Sequence, residues 1–380
     1  MIYLDNGATS FPKPDVVADA VEGYIRHVGS NINRGTYTSA YSAGAVVLET
    51  RAKLCEMMNG YAPRNTIFTP GDTYSLNFMI KGLARPGDKF LTSGMEHNAV
   101  YRVLYQLEEQ MGTKTEYMTC NRDGELELEK ALDMIDENLR AVVMVHASNV
   151  SGTILPIEEI GRKCEEKGVF FIVDAAQTAG TLPIDMKERN IDGLALPAHK
   201  SMLGPQGLGA MLLSDRLASE MTPLIAGGTG SHSDIATMPE ELPDRFEAGT
   251  MNIPAIFGLH ASCEWLEGRL GEIREHEMKL TKRFIDGISD LENVRIVGPL
   301  DMDKRVSTLS LDFLDDDNAI VGFRLSQDYG IMTRVGLHCA PLAHKSLGTF
   351  PEGTVRFSIG AFNTEEDIDG AIKAVREIAQ

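Results

Sequence analysis

Apolar positions along this chain change period several times, and each change predicts a different element. Over residues 15–60 they recur at helical spacing, as in Val16, Val17, Ala20, Val21 and Tyr24, behind the start signal Pro12-Lys13-Pro14. The first fourteen residues read as a separate arm. Further on, short runs rich in β-branched residues, at 141–146, 169–173 and 208–213, alternate with helix-like stretches. Such alternation predicts an α/β fold with a mostly parallel sheet and helices on its faces. Ligands in such sheets gather beyond the carboxyl ends of the strands, so chemistry is expected just after each run.

From Ile256 the pattern turns into a long helix with Leu270, Ile273, Leu280, Phe284 and Ile288 on one stripe. Strand-like segments follow at 308–313 and 354–359, and a last helix begins at Thr364-Glu365-Glu366-Asp367, a capping sequence, with Ile368, Ile372, Val375 and Ile378 on its apolar face. This predicts two units, a large α/β domain over residues 15–255 and a smaller α+β domain built from 1–14 and 256–380. No internal repeat or low-complexity linker separates them.

A length of 380 residues agrees with two units around a shared interior, and 43% hydrophobic with 24% charged residues is the balance of an ordinary globular protein. The net charge of −19 has no basic block within it, which argues against nucleic acid or an anionic membrane as a partner. Five cysteines lie scattered without pairing or metal-ligand spacing, so no metal site is expected and a reducing compartment is. The start Met1-Ile2-Tyr3-Leu4-Asp5-Asn6 lacks signal-peptide features and no apolar stretch approaches a spanning length, so the expected address is the cytoplasm.

Three sites carry candidate chemistry. The run Val169-Phe170-Phe171-Ile172-Val173 ends in Asp174, a carboxylate at the mouth of a buried strand that needs a cation opposite it, unless it caps the next helix. His199-Lys200 follows the run at 194–197 and precedes a glycine-rich turn; a lysine there is either a nucleophile freed by a low-polarity pocket or an exposed side chain. Together, Asp174 and Lys200 match the two groups pyridoxal phosphate requires, a lysine for its aldehyde and a carboxylate for its ring nitrogen. The turn Phe68-Thr69-Pro70-Gly71-Asp72-Thr73 before a helix starting near Tyr74 would serve the phosphate, or is a plain capped turn.

Several motifs resemble the class V aminotransferase family in order and spacing: Tyr3-Leu4-Asp5-Asn6-Gly7-Ala8-Thr9, Met95-Glu96-His97-Asn98, Ser148-Asn149-Val150-Ser151-Gly152, Val173-Asp174-Ala175-Ala176-Gln177, His199-Lys200 and Arg245-Phe246-Glu247-Ala248-Gly249-Thr250. Within it, Arg334-Val335-Gly336-Leu337-His338-Cys339-Ala340-Pro341 and Arg356-Phe357-Ser358-Ile359-Gly360-Ala361-Phe362-Asn363 resemble the cysteine desulfurase and selenocysteine lyase branch, in its second group. The resemblance implies fold type I, with a seven-stranded large-domain sheet and the cysteine loop on the small domain. It also implies that Lys200 binds the cofactor covalently and shuttles protons, that Asp174 partners the ring nitrogen, and that His97 stacks on the ring. Gln177 would meet the phenolic oxygen, while Thr73, His199 and Thr250 would serve the phosphate, Thr250 from the second subunit of a homodimer, and Asp72 is a further cofactor-binding candidate. Asn149 and Arg356 would bind the substrate carboxylate, Asn149 also touching the cofactor, and Asn33 is a further substrate-binding candidate.

The implied activity is desulfuration of L-cysteine to L-alanine with the sulfur taken as a persulfide on Cys339 and passed to an acceptor protein. That step needs a thiolate, which His338 or a cationic pocket is expected to favour. Selenocysteine lyase is the alternative; a class V aminotransferase or a non-catalytic sulfur-transfer scaffold are further ones. Pro197 in place of a serine, an extra residue between Lys200 and Gly204, and Leu337 in place of a histidine depart from the family's pattern.

Overall fold

The computed structural model describes residues 1–32 and 35–380. In chain order the strands are β1 (Ile2–Tyr3), β2 (Thr66–Thr69), β3 (Lys89–Ser93), β4 (Lys114–Met118), β5 (Leu139–Val145), β6 (Phe170–Asp174), β7 (Gly193–Pro197), β8 (Gly209–Leu213), β9 (Val294–Val297), β10 (Thr308–Phe313), β11 (Ile331–Met332), β12 (Arg334–Gly336) and β13 (Thr354–Ser358). The helices are α1 (Asp15–Gly23), α2 (Thr38–Met57), α3 (Asp72–Leu83), α4 (Asn98–Met111), α5 (Leu128–Asp133), α6 (Ile157–Lys167), α7 (Asp215–Glu220), α8 (Ile253–Leu266), α9 (Leu270–Ile288), α10 (Asn318–Tyr329), α11 (Pro341–Leu347) and α12 (Glu365–Ile378).

Seven strands form the main sheet in the order β2-β8-β7-β6-β5-β3-β4. Only β8 runs against its neighbours β2 and β7; the other pairings are parallel. Both faces are covered, which explains why these strands read as unbroken apolar runs. Along β6, Phe171 and Val173 enter one core while Phe170 and Ile172 enter the other. Each such side chain contributes about 1.5–3 kcal/mol on burial. Because six of the seven strands point the same way, the loops after β2, β3, β5, β6 and β7 open on one edge. That edge carries the site.

A second, antiparallel sheet, β12-β13-β10-β9, packs with α9, α10 and α12 around a third core that includes Phe284, Phe357 and Val375. The arm belongs with it: β1 pairs with β11, and Leu4 is buried in that core. Helix α12 starts in a reciprocal capping box between Thr364 and Asp367. The long helical stretch after Ile256 is two helices, α8 and α9, separated at Gly268, whose φ of 74° is the left-handed value glycine favours. Ile256, Leu259, Cys263 and Leu266 of α8 share a core with Val47 and Leu54 of α2, so the helix at which the sequence pattern changes packs with the first unit. Helix α8 is apolar nearly all round, so periodicity could not show which core it joins. Among the described residues no helix is long and apolar enough to cross a membrane.

Candidate active site

A cavity of about 340 Å³ opens at the carboxyl edge of the main sheet. Its lining brings together ten of the residues singled out in the sequence: Asp72, Thr73, His97, Asn149, Asp174, Gln177, His199, Lys200, Cys339 and Arg356. Asn33 lies outside the described residues. Thr250 is exposed and lines a different cavity, beside Tyr74 and Phe68.

Asp174 ends β6, and Lys200 follows β7, its neighbour in the sheet. Asp174 is 1% exposed, and its Oδ1 accepts from the Ala176 amide at 2.9 Å. Burial raises its carboxyl pKa, and Lys200 acts in the opposite direction. Lys200 and Asp72 are half-buried and both line the cavity. Burial lowers the Lys200 pKa, while Asp72 and Asp174 pull it back up. An amine held in this way is readily deprotonated, as nucleophilic lysines require. The inserted residue behind it is absorbed by a tight turn: Leu203 donates its amide to the Lys200 carbonyl at 2.8 Å and adopts a φ of 54°. The arm docks on the same segment, with Ser10 N and Lys13 Nζ both donating to the His199 carbonyl.

His97 turns out to be the N-cap of α4, its Nδ1 accepting from the Ala99 amide at 3.1 Å. That bond leaves the ring proton on Nε2 and fixes the ring's orientation. Burial, then Lys200, lowers its pKa to about 4, so the ring is neutral at physiological pH. The preceding residue, Glu96, is 0% exposed and accepts from the Val145 amide and the Ser93 hydroxyl, bracing the ends of β3 and β5 against each other.

The small sheet supplies the opposite wall. Arg356 on β13 is 2% exposed; its Nη1 donates to the Asn149 carbonyl at 3.1 Å and its Nη2 to Asp5 Oδ1 at 2.8 Å. Arg334 stands 3.8 Å from the other oxygen of Asp5. Sequence reasoning passed over Asp5 and Arg334 as charges of the site, although both lie within motifs it had marked. Gln177 donates its side-chain amide to the Gly7 carbonyl at 3.1 Å, which holds the arm at the cavity's rim.

Of the five cysteines Cys339 alone is exposed. It and His338 take left-handed φ values of 56° and 47°, and its carbonyl accepts the Asn98 amide at 2.7 Å, at the start of α4. Such a conformation is sparsely populated by residues other than glycine and is sustained here by the surrounding bonds. The expectation that His338 supplies charge to the thiol is corrected. Its imidazole turns inward to Thr354 Oγ1 at 3.0 Å, and burial, then Arg356, lowers its pKa to about 2, so it stays uncharged. The cations on this cavity are Lys200, Arg334 and Arg356, and Cys339 is among the groups acting on Arg356.

A family profile described as Aminotransferase class-V matches residues 2–370. The chain belongs to the class V aminotransferase family. Similar proteins include a probable cysteine desulfurase of Methanothermobacter thermautotrophicus, 32% identical over 100% of this chain and 94% of that protein. The cysteine desulfurase of Haloferax volcanii is 31% identical over 100% and 90%. Among solved structures, the apo cysteine desulfurase from Thermococcus onnurineus NA1 superposes with a TM-score of 0.92 at 31% identity, covering 100% of this chain and 94% of that one. An Escherichia coli cysteine desulfurase in an S-sulfonic acid form gives 0.89 at 26% identity, covering 99% and 94%. These likenesses establish fold type I, as the family resemblance implied.

Class V aminotransferases are pyridoxal 5'-phosphate enzymes, and the residues present fit that cofactor. Five buried atoms without a hydrogen-bond partner belong to residues that line this cavity: Asp72 Oδ1, Asn149 Oδ1, His199 Nδ1, His338 Nδ1 and Arg356 Nε. Orphaned donors and acceptors of this kind are stabilised when a polar, anionic molecule fills the space. Gly209 completes the fit, since a Cβ there would lie 2.9 Å from the Asp72 amide and 2.7 Å from the Gly71 carbonyl carbon, forcing the start of α3 away from the sheet.

Proposed function

We propose that this chain is a pyridoxal-phosphate-dependent cysteine desulfurase, a cytoplasmic homodimer that converts L-cysteine to L-alanine and takes the sulfur as a persulfide on Cys339. The observation that carries this reading is the position of the one exposed cysteine, on a strained turn at the rim of the Lys200 cavity and close to Arg356.

When bound, the cofactor supplies an electron sink for charge developing at the substrate's α-carbon. Lys200 would hold its aldehyde carbon, Asp174 its ring nitrogen, His97 the ring face, Gln177 the phenolic oxygen, and Asp72, Thr73 and His199 the phosphate. Arg356 and Asn149 bind the substrate carboxylate, using the unpartnered Arg356 Nε and leaving Asp5 to fix the guanidinium. Lys200, with an amine that burial keeps easy to deprotonate, removes the α-proton and returns it. The Cys339 thiolate attacks the substrate sulfur: the S–S bond forms, the carbon–sulfur bond breaks, and its electron pair stays with the carbon that is protonated to give alanine. Cys339 then passes the outer sulfur to the thiol of an acceptor protein.

The dimer reading is supported by Thr250, exposed on its own chain, and by exposed Tyr74 and Ile225 around the same open cavity beside α3. A reducing, cytoplasmic setting is supported by five unpaired cysteines.

The test is an assay of the purified chain, supplied with pyridoxal phosphate, L-cysteine and a reducing thiol. Alanine and sulfide are expected in equal amounts, with loss of both in Cys339→Ser; selenocysteine run alongside distinguishes a lyase, which tolerates that substitution. Pyruvate with an aminated keto acid in place of alanine would overturn the proposal.

A further inference from the structure

The helix that opens the anion-binding side of the cavity begins with an acid. Asp72 is the first residue of α3, whose unpaired N-terminal amides, with Thr73 and His199 nearby, make the end of the cavity suited to a phosphate dianion. An ionised carboxylate at that end would oppose the dianion. The Asp72 backbone is pinned against Gly209, and its Oδ1 is shut off from solvent with no hydrogen-bond partner.

The charged groups around it decide its state. Asp174 faces it from β6 and Lys200 from the segment after β7; His97, His199, His338, Arg334, Arg356 and Cys339 complete the titratable and charged lining, with Tyr74 beside it on α3. One ammonium therefore serves two carboxyls. Asp174 has the Ala176 amide as a second partner, whereas Asp72 has none. Burial first and Asp174 second raise the Asp72 pKa well above its ordinary value, so of the two acids it is the one that keeps its proton. A protonated carboxyl is a hydrogen-bond donor, and a donor is what a phosphate oxygen needs.

We propose that Asp72 is a proton-gated member of the phosphate site: protonated, its carboxyl donates to the phosphate; ionised, it repels it, so the chain releases a pyridoxal-type phosphate more readily as pH rises. This rests on the placement of the phosphate at α3 proposed above, and the experiment separates the two.

Equilibrium dialysis of the cofactor-free full chain against pyridoxamine 5'-phosphate, which lacks the aldehyde that Lys200 would capture, reads affinity without turnover. Between pH 6 and pH 9 the parent's dissociation constant is expected to rise about tenfold or more beyond that of Asp72→Asn, within the limit of about tenfold per pH unit that one linked proton allows. Asp72→Ser serves as a second variant should the first fail to fold. Phosphate-free pyridoxamine is expected to show no such divergence; an equal divergence there would move the effect off the phosphate and overturn the inference. Thr73→Val is expected to weaken binding at every pH. If it does not, the phosphate placement falls; if it does while Asp72→Asn tracks the parent's pH curve, the gating by Asp72 alone falls.

Discussion

Asn149 donates its side-chain amide to the His338 carbonyl at 2.8 Å, so the loop after β5 in the large sheet holds the backbone next to Cys339. The bond crosses from one unit to the other, and both residues are buried. With the Asn98 amide on the Cys339 carbonyl, it fixes the turn from two sides.

Replacing Asn149 with Ala removes that bond and leaves a buried carbonyl unsatisfied, a loss of about 1–3 kcal/mol. Because the same side chain carries an unpartnered Oδ1 on the cavity, the effect should fall on turnover as well as on stability. A drop in kcat/KM for cysteine of roughly 10- to 100-fold is expected, with the cofactor's absorbance retained. Unchanged kcat/KM would mean that the turn holds its geometry without Asn149.

The φ of 56° at Cys339 separates stability from activity at one position. Cys339→Ala keeps a Cβ in left-handed backbone, whereas Cys339→Gly relieves it, and glycine should be the more stable of the two by about 1 kcal/mol. Neither variant has a sulfur to accept the substrate's, so both should be inactive as desulfurases. Thermal unfolding of the pair checks the first part. An alanine variant more stable than the glycine one would show that the turn relaxes once the sulfur is gone.

Glu96 gives a pH signature. Burial pushes its pKa from an ordinary 4.5 to about 8, against hydrogen bonds from Ser93 and the Val145 amide. The folded chain thus keeps a proton that the unfolded chain releases above about 4.5, and this contribution to stability is lost as pH rises toward 8. Glu96→Gln preserves an acceptor for Val145 and does not titrate. Between pH 5 and pH 9 the parent should lose on the order of 2–4 kcal/mol more stability than the variant. Parallel Tm curves for the two would rule this out.

The elements were legible in the sequence where the chain reports its own burial. The runs at 169–173 and 208–213 became β6 and β8 within a residue or two because strands covered on both faces must be continuously apolar. The capped start of α12 was legible because a capping box is a local bond pattern. What was not legible depends on partners distant in the chain. Nothing near residue 209 announces that β8 runs against its neighbours, and nothing near residue 5 announces an ion pair with Arg356 across 351 positions. The inward turn of His338 is of the same kind, being set by Thr354 on a neighbouring strand.

Lys200 is the counter-charge of two acids, and removing it should leave a record in stability as well as in catalysis. In the cofactor-free parent, burial raises the Asp72 and Asp174 pKa values above the ordinary 3.8, and Lys200 restrains both. Without the ammonium each is raised further, so the folded chain holds protons that the unfolded chain has released, and stability falls as pH rises through the folded values. The lysine itself adds to the effect in the same direction. Its folded pKa lies below the ordinary 10.5, so in the parent it favours folding increasingly as pH rises toward that value, and Lys200→Ala abolishes the gain. The variant, compared with the parent as cofactor-free protein, should therefore lose stability progressively from pH 6 to pH 9. Denaturant unfolding at several pH values measures the gap directly; a gap that stays constant or narrows would show that Asp72 and Asp174 do not rely on Lys200 for their charge balance.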